Sequence, residues 1–154
     1  MHSNYITNFP HAELSSQDGF SRFIFCIYAY EFPEAASGLD ADWQRAYFYL
    51  CTPCFQVEID EPMFQGTSLQ KFLNELQELS ALEKNHVKFW PTEPYVRLNL
   101  TLDSRKKIGV EGTVWNMNSQ HDATLNFKFT TNLARLDIFT KGIQAIVERF
   151  PRRK

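Results

Sequence analysis

Two stretches of the chain repeat their apolar residues every three or four positions, while other stretches repeat them every second position. In 68-SLQKFLNELQELSAL-82, Leu69, Phe72, Leu73, Leu76 and Leu79 paint one stripe. After Asn132, Leu133, Leu136, Phe139, Ile143, Ile146, Val147 and Phe150 paint another. That spacing is the signature of an α-helix with one apolar face. By contrast, Phe55, Val57 and Ile59 alternate with Gln56, Glu58 and Asp60, and Val96, Leu98, Leu100 and Leu102 alternate with Arg97, Asn99 and Thr101. Period-two alternation marks a half-buried strand. A chain that must bury two helical stripes and several one-sided strands has few economical solutions. The expected one is a two-layer α+β domain, a curved antiparallel sheet of about six to seven strands with both helices on one face.

Strands are expected over residues 20–30, 43–51, 55–60, 87–90, 95–102, 107–115 and 124–130. The first is apolar on both faces, so it belongs in the centre or under a cover on each side. Thr67 or Ser68 is the expected cap of the first helix, with Gln70 completing a capping box. Asn132 is the expected cap of the second, and Pro151 stops it. Residues 1–19 are polar and unpatterned and read as a loose N-terminal arm, partly docked by Tyr5 and Phe9. Residues 20–151 then form one α+β domain and residues 152–154 a basic tail. No internal repeat or low-complexity linker is visible, and 154 residues suffice for one core. The 14 phenylalanines argue against disorder. No apolar run is long enough to cross a bilayer. The N-terminus lacks the basic and apolar regions of a secretory signal. Three cysteines make no disulfide framework. A cytoplasmic protein is expected.

Most catalytic chemistries find no support. Cys51-Thr-Pro-Cys54 is a C-x-x-C, but strands flank it, whereas a thioredoxin-type pair opens a helix. It supplies half a zinc site at most, so two small residues in a turn is the better reading. His2, His11, His86 and His121 have no metal-binding spacing, and no P-loop, G-x-S-x-G or G-x-G-x-x-G occurs. Glu31 and Glu93 stand at strand ends, where an acid–base pair across a cleft would be one reading, but a carboxylate preceding proline at a strand start, as Glu93 does in TEPY, is ordinary. Arg105-Lys106-Lys107 and the run from Arg149 to Lys154 look like a hairpin turn and a chain end rather than a nucleic-acid stripe. No catalytic residue, metal or cofactor is expected, and no direct nucleic-acid or membrane contact.

The acidic residues carry more information. Residues 1–62 hold nine acidic and two basic side chains, and residues 63–154 hold nine acidic and fourteen basic. Such asymmetry points to partners. If the first three strands form a meander, Glu31, Glu34, Asp40, Asp42, Asp60 and Glu61 fall along one rim with Glu58 one step in. Phe32 and Trp43 sit among them. An acidic rim with aromatic anchors suits docking of a basic protein and also suits a weak cation site; docking is the favoured reading.

The order of short motifs resembles a known family. A strand ends in YEFP, DADW opens the next, and the helix SLQKFLNELQEL follows. TEPYVRLNL, IGVEG and NFKF strands come next, and the last helix ends RFP. This pattern is similar to the WapI family of immunity proteins, small bacterial proteins encoded beside polymorphic toxins. The resemblance covers roughly residues 20–151. It implies a cytoplasmic, non-catalytic protein that binds and blocks a toxin domain, many such toxins being nucleases with basic surfaces. Partner contacts are then expected at Glu31, Glu34, Asp40, Asp42, Trp43, Glu58 and Asp60, in a monomer or weak dimer. Two rivals stand beside it. One is an enzyme or small-molecule-binding domain with a pocket between sheet and helices lined by Trp90, Glu93 and Tyr95. The other is a module that dimerises through an exposed strand edge.

Overall fold

The strands do not join into a single sheet. The computed structural model of the chain describes residues 2–93, 95–117 and 122–153. A short helix α1 (His2–Asn8) precedes four strands, β1 (His11–Ser15), β2 (Arg22–Tyr30), β3 (Trp43–Cys51) and β4 (Gln56–Gln65). Helix α2 (Gly66–Ser80) leads to β5 (His86–Phe89), β6 (Val96–Leu102), β7 (Lys107–Met117) and β8 (Asp122–Asn132), and helix α3 (Leu133–Arg149) closes the chain. The strands make two antiparallel meanders of four, sheet A in the order β1-β2-β3-β4 and sheet B in the order β5-β6-β7-β8. The α+β class holds; the single sheet of six to seven strands is corrected to two sheets. Alternation says which residues face inward and nothing about which strands are neighbours. Four strands followed by a helix occur twice, although the sequence shows no repeat, because each unit keeps a pattern and not its residues.

The expected loose arm is also corrected. Residues 11–15 are an edge strand, paired with β2 from His11↔Cys26 to Ser15↔Arg22, with Ala12 and Leu14 buried. Helix α1 lies on the outer face of sheet A, where Tyr5, Ile6 and Phe9 pack on Ile24, Cys26, Tyr47 and Tyr49. That is the second cover the doubly apolar β2 required. β4 runs five residues past its expected end and crosses Pro62, where a register shift opposite Arg45 absorbs an extra residue. Proline is tolerated there because β4 is an edge strand.

The inner faces share one core with the helices. Phe23 of β2 lies 6.1 Å from Phe127 of β8 and 5.5 Å from Phe139 of α3, ring centre to ring centre. Phe25 of β2 lies 5.6 Å from Phe89 of β5, and Phe72 of α2 stacks on Phe89 at 4.4 Å. Such pairs add to the burial of their area. The ends of β1 and β8 are joined by polar contacts, with Thr131 Oγ1 donating to the Ser15 carbonyl at 2.7 Å and Arg135 Nη1 to Ser15 Oγ at 2.6 Å. Asn132 caps α3 as expected, its side chain accepting from Arg135 N at 2.9 Å.

Helix α3 packs closely on β1. A Cβ added at Gly142 would stand 2.6 Å from Ala12 Cα and 2.7 Å from the His11 carbonyl oxygen. Backbone cannot yield as a flexible side chain can. Gly142→Ala is expected to lower the unfolding free energy by about 1–3 kcal/mol in urea denaturation. A Cβ at Gly109 would come no nearer than 3.9 Å to the Thr101 carbonyl, so Gly109→Ala should change stability by less than about 0.5 kcal/mol.

Candidate functional site

The stretch Leu39-Asp40-Ala41-Asp42 is a 3-10 turn that delivers the chain into β3. Its two carboxylates have different fates. Asp40 is exposed. Asp42 is 5% exposed and is consumed internally. Its Oδ2 accepts from Thr67 N and Thr67 Oγ1, both at 2.8 Å, and its Oδ1 accepts from Arg153 N at 2.9 Å. A carboxylate at the first turn of α2 meets the unpaired amides and the positive end of the helix dipole. The helix begins at Gly66, earlier than expected, and its capping residue Gln65 makes no side-chain cap bond. Asp42 supplies from another segment the cap that Thr67 or Ser68 was expected to provide. A Cβ at Gly66 would stand 2.6 Å from Asp42 Oδ1 and 2.8 Å from Arg152 Cα, so only glycine lets these segments meet.

Arg153 of the basic tail is part of the same knot. Arg153 Nε donates to the Ala41 carbonyl at 2.7 Å. Its Nη1 and Nη2 donate to the Pro33 and Phe32 carbonyls at 3.1 and 2.8 Å. The guanidinium lies 3.8 Å from the centre of the Tyr30 ring, within cation–π range. Tyr30 Oη donates to the Pro151 carbonyl at 2.6 Å, and Gln44 Nε2 to the Phe150 carbonyl at 2.9 Å. Lys154 lies outside the described residues.

Three of the predicted acidic residues do share a rim. Glu31, Glu34 and Asp40 line one open concavity with Phe32, Pro33 and Ala35, and Phe32 is 45% exposed. Arg45 Nη1 holds Glu31 Oε2 at 2.6 Å, while Glu34 and Asp40 are exposed. Trp43 is half-buried at the start of β3, opposite Gln65.

Glu58 and Asp60 are elsewhere, a correction that follows from the length of β4. Because that strand continues to Gln65, Asp60 pairs with Tyr47 and Glu58 with Tyr49 in mid-sheet. Asp60 accepts the hydroxyls of Tyr28 and Tyr5, the latter at 2.5 Å. Arg45 Nε donates to Tyr28 Oη at 3.1 Å, and Tyr47 Oη donates to Glu58 Oε1 at 3.0 Å. The hydrogen bond to Asp60, and then burial, push the Tyr5 phenol up. Burial and then the carboxylate hydrogen bond do the same for Tyr28 and Tyr47. Burial pushes the Cys26 thiol beneath α1 up to about 12.

Two larger hollows were not foreseen. One, about 610 Å³, lies between Phe55 with residues 56–61 of β4 on one side and Tyr95 with Val114, Trp115 and residues 123–125 of sheet B on the other. The other, about 580 Å³, is on the outer face of sheet B. There Arg97 stands between Trp90 and Trp115, 5.0 and 5.4 Å from their ring centres, with its Nε unpartnered among the described residues. Lys88 also lies 4.8 Å from the Trp90 ring centre. The alternation of β6 and β7 held the signal for this grouping, but only the register Arg97↔Thr113 places Trp115 beside it. The pocket expected from Trp90, Glu93 and Tyr95 does not form: Trp90 is 53% exposed and Tyr95 faces the other hollow. Between α2 and β5 there is a 120 Å³ hollow, small against the ~300–1,000 Å³ of ligand sites. Cys51 ends β3 and Cys54 lies in the following turn, both as free thiols. No metal-binding cluster occurs among the described residues, and His121 lies outside them.

The motif order and nearly all of the two-sheet core lie within the span matched by one family, the Immunity protein WapI-like family, over residues 13–151. The chain belongs to that family. Membership in the WapI-like family includes β1 from Glu13 onward, which the sequence motifs alone did not reach. Two solved structures are similar in fold. Trypanosoma bruciei MRP1/MRP2 matches at a TM-score of 0.53 and 9% identity, over 97% of this chain and 92% of that one. The plant transcriptional regulator PBF-2 matches at 0.50 and 13% identity, over 92% and 81%. At these identities the likeness is one of architecture. No curated protein matches the chain.

Two predictions follow from this geometry. Asp42→Ala should cost roughly 2–4 kcal/mol in chemical denaturation, since it removes the carboxylate that caps α2 and leaves three donors without their acceptor; Asp40→Ala should cost less than about 0.5 kcal/mol. The second concerns alkaline pH. Tyr5, Tyr28, Tyr47 and Cys26 hold their protons more tightly folded than unfolded. The unfolded chain therefore releases protons first, and its stability relative to the native state grows as pH rises. Their contribution should be complete below about pH 8.5, the ordinary thiol value, and should fall as pH climbs past it and past about 10. Urea midpoints measured from pH 7 to 11 check this; a midpoint that stayed level or rose above pH 10 would contradict it.

Proposed function

We propose that this WapI-like immunity protein binds a cognate bacterial toxin domain and neutralises it by occlusion and charge, acting in the cytoplasm without catalysis. Family membership over residues 13–151 carries the reading. Immunity proteins of this kind are generally non-catalytic, and among the described residues no helix is long and apolar enough to cross a membrane. The rim of sheet A supports a docking face. Glu34 and Asp40 are exposed beside the exposed Phe32, which combines charge for steering with an aromatic anchor. Trp43 flanks this face. Glu31 contributes through its pair with Arg45. Asp42 stands behind it as a support. Glu58 and Asp60 belong to a second acidic region at β4. Direct nucleic-acid or membrane contact is not part of the proposal, and the working unit is a monomer or weak dimer.

The test is calorimetric binding of the purified protein to the C-terminal domain of the toxin encoded beside its gene, with growth rescue in parallel. Absence of both would remove the proposal. Where binding is found, Glu34→Lys with Asp40→Lys should slow association by about ten-fold at low salt and flatten its salt dependence. Unchanged rates at both salts would exclude the rim as the docking face.

A further inference from the structure

The hollow beside β4 has a feature that side-chain pockets lack. It is bordered by seven consecutive residues, 55–61. Side chains of a strand alternate between faces, so a hollow touching seven in a row runs along the strand's edge. β4 is the outermost strand of sheet A, paired with β3. Its hydrogen-bond phase can be read from the hairpin. Thr52 N donates to the Phe55 carbonyl at 2.8 Å, which makes Thr52–Phe55 a bonded pair. Bonded and non-bonded pairs alternate in an antiparallel ladder. With Cys51↔Gln56 and Tyr47↔Asp60 in register, the amides and carbonyls of Gln56 and Asp60 point away from β3, toward the hollow. An edge of this kind is a template for another strand.

The lining also selects its occupant. Val57, Ile59, Tyr95 and Trp115 supply apolar surface, and Phe55 at the mouth is 56% exposed. Glu58, Asp60 and Glu61 line the hollow too, and among its described lining residues none is lysine or arginine. We infer that the outer edge of β4 receives an extended segment of the toxin domain, apolar on one face and basic on the other, which adds a fifth strand to sheet A. This rests on the immunity reading and specifies how the partner is held. Glu58 and Asp60 then act by placing negative charge along the edge, distinct from the rim at Glu34 and Asp40.

Proline at position 56 tests it. Gln56 is exposed and its amide lies outside the β3–β4 ladder, so Gln56→Pro removes an outward donor while leaving the sheet paired. Gln56→Ala keeps the donor. With the same toxin domain, Gln56→Pro should weaken binding by at least about ten-fold, and Gln56→Ala by less than about two-fold. In the wild-type complex, hydrogen exchange at the amides of Gln56 and Asp60 should slow by at least about ten-fold, a readout that stands even where the proline variant folds poorly. Wild-type binding with unchanged proline affinity and no added protection would overturn the strand-addition inference and leave the immunity reading intact. Failure of the wild type to bind or rescue would overturn both. A free protein that sediments as a dimer, and as a monomer with Gln56→Pro, would assign the edge to a second copy and overturn the inference.

Discussion

The buried carboxylate of Asp42 is the constraint on which the rest depends. A buried charge is costly unless donors surround it. Here the donors come from two distant places, the first turn of α2 and the backbone after α3. Satisfying Asp42 therefore fixes where sheet A ends, where α2 begins and where the C-terminal segment lies. Arg153, held by the same knot, binds the carbonyls of Phe32, Pro33 and Ala41 and so shapes the wall of the acidic concavity. The rim proposed for docking is thus positioned by the closure of the fold.

The aromatic core does the complementary task of joining the two sheets. Phe23 and Phe25 on β2 reach β8, β5 and α3 within about one ring diameter, and Phe64, Phe72 and Phe89 continue the contact toward α2. Flat rings make contact edge-on as well as face-on. They let the two sheets and two helices share one core without a separate interface for each pair. Gly112 accordingly sits where the Phe127 ring comes close, a Cβ there running into Phe127 Cζ.

Local periodicity made α2, α3 and most strands legible, down to the Asn132 cap and both ends of β3, while α1 lay in a stretch without visible pattern. It did not reveal which strands were neighbours, because an inward-facing residue reads the same in one sheet or two. β1 was invisible because five residues with only Ala12 and Leu14 buried give too short an alternation to separate from a polar arm. The acidic stretch shows the same limit at the site. Asp40 and Asp42 are alike in type and two positions apart, yet a 3-10 turn sends one to solvent and one beneath a helix. Glu58 and Asp60 were misplaced for a related reason. The extension of β4 through Pro62 depends on its being an edge strand, which no window of sequence contains.

The charge asymmetry gains a spatial meaning once the two sheets are known. The acidic portion, residues 1–62, is α1 and nearly all of sheet A, and the basic portion contains α2, sheet B and α3. The split along the chain is therefore a split between layers. Arg97 and Lys128 line the hollow of sheet B with Trp90 and Trp115, and Lys88 lies against Trp90, while Glu34, Asp40, Glu58, Asp60 and Glu61 belong to sheet A and its loops. A basic partner approaching such a molecule is turned toward sheet A before any contact forms, and the effect decays within a Debye length of about 8–10 Å at moderate salt. Steering of this kind needs only the layer-wise charge, whereas holding the partner needs shape. The rim and the β4 edge both lie on the acidic layer, so on the proposed reading the same separation of charge that steers a basic domain in would deliver it to the surfaces proposed to hold it.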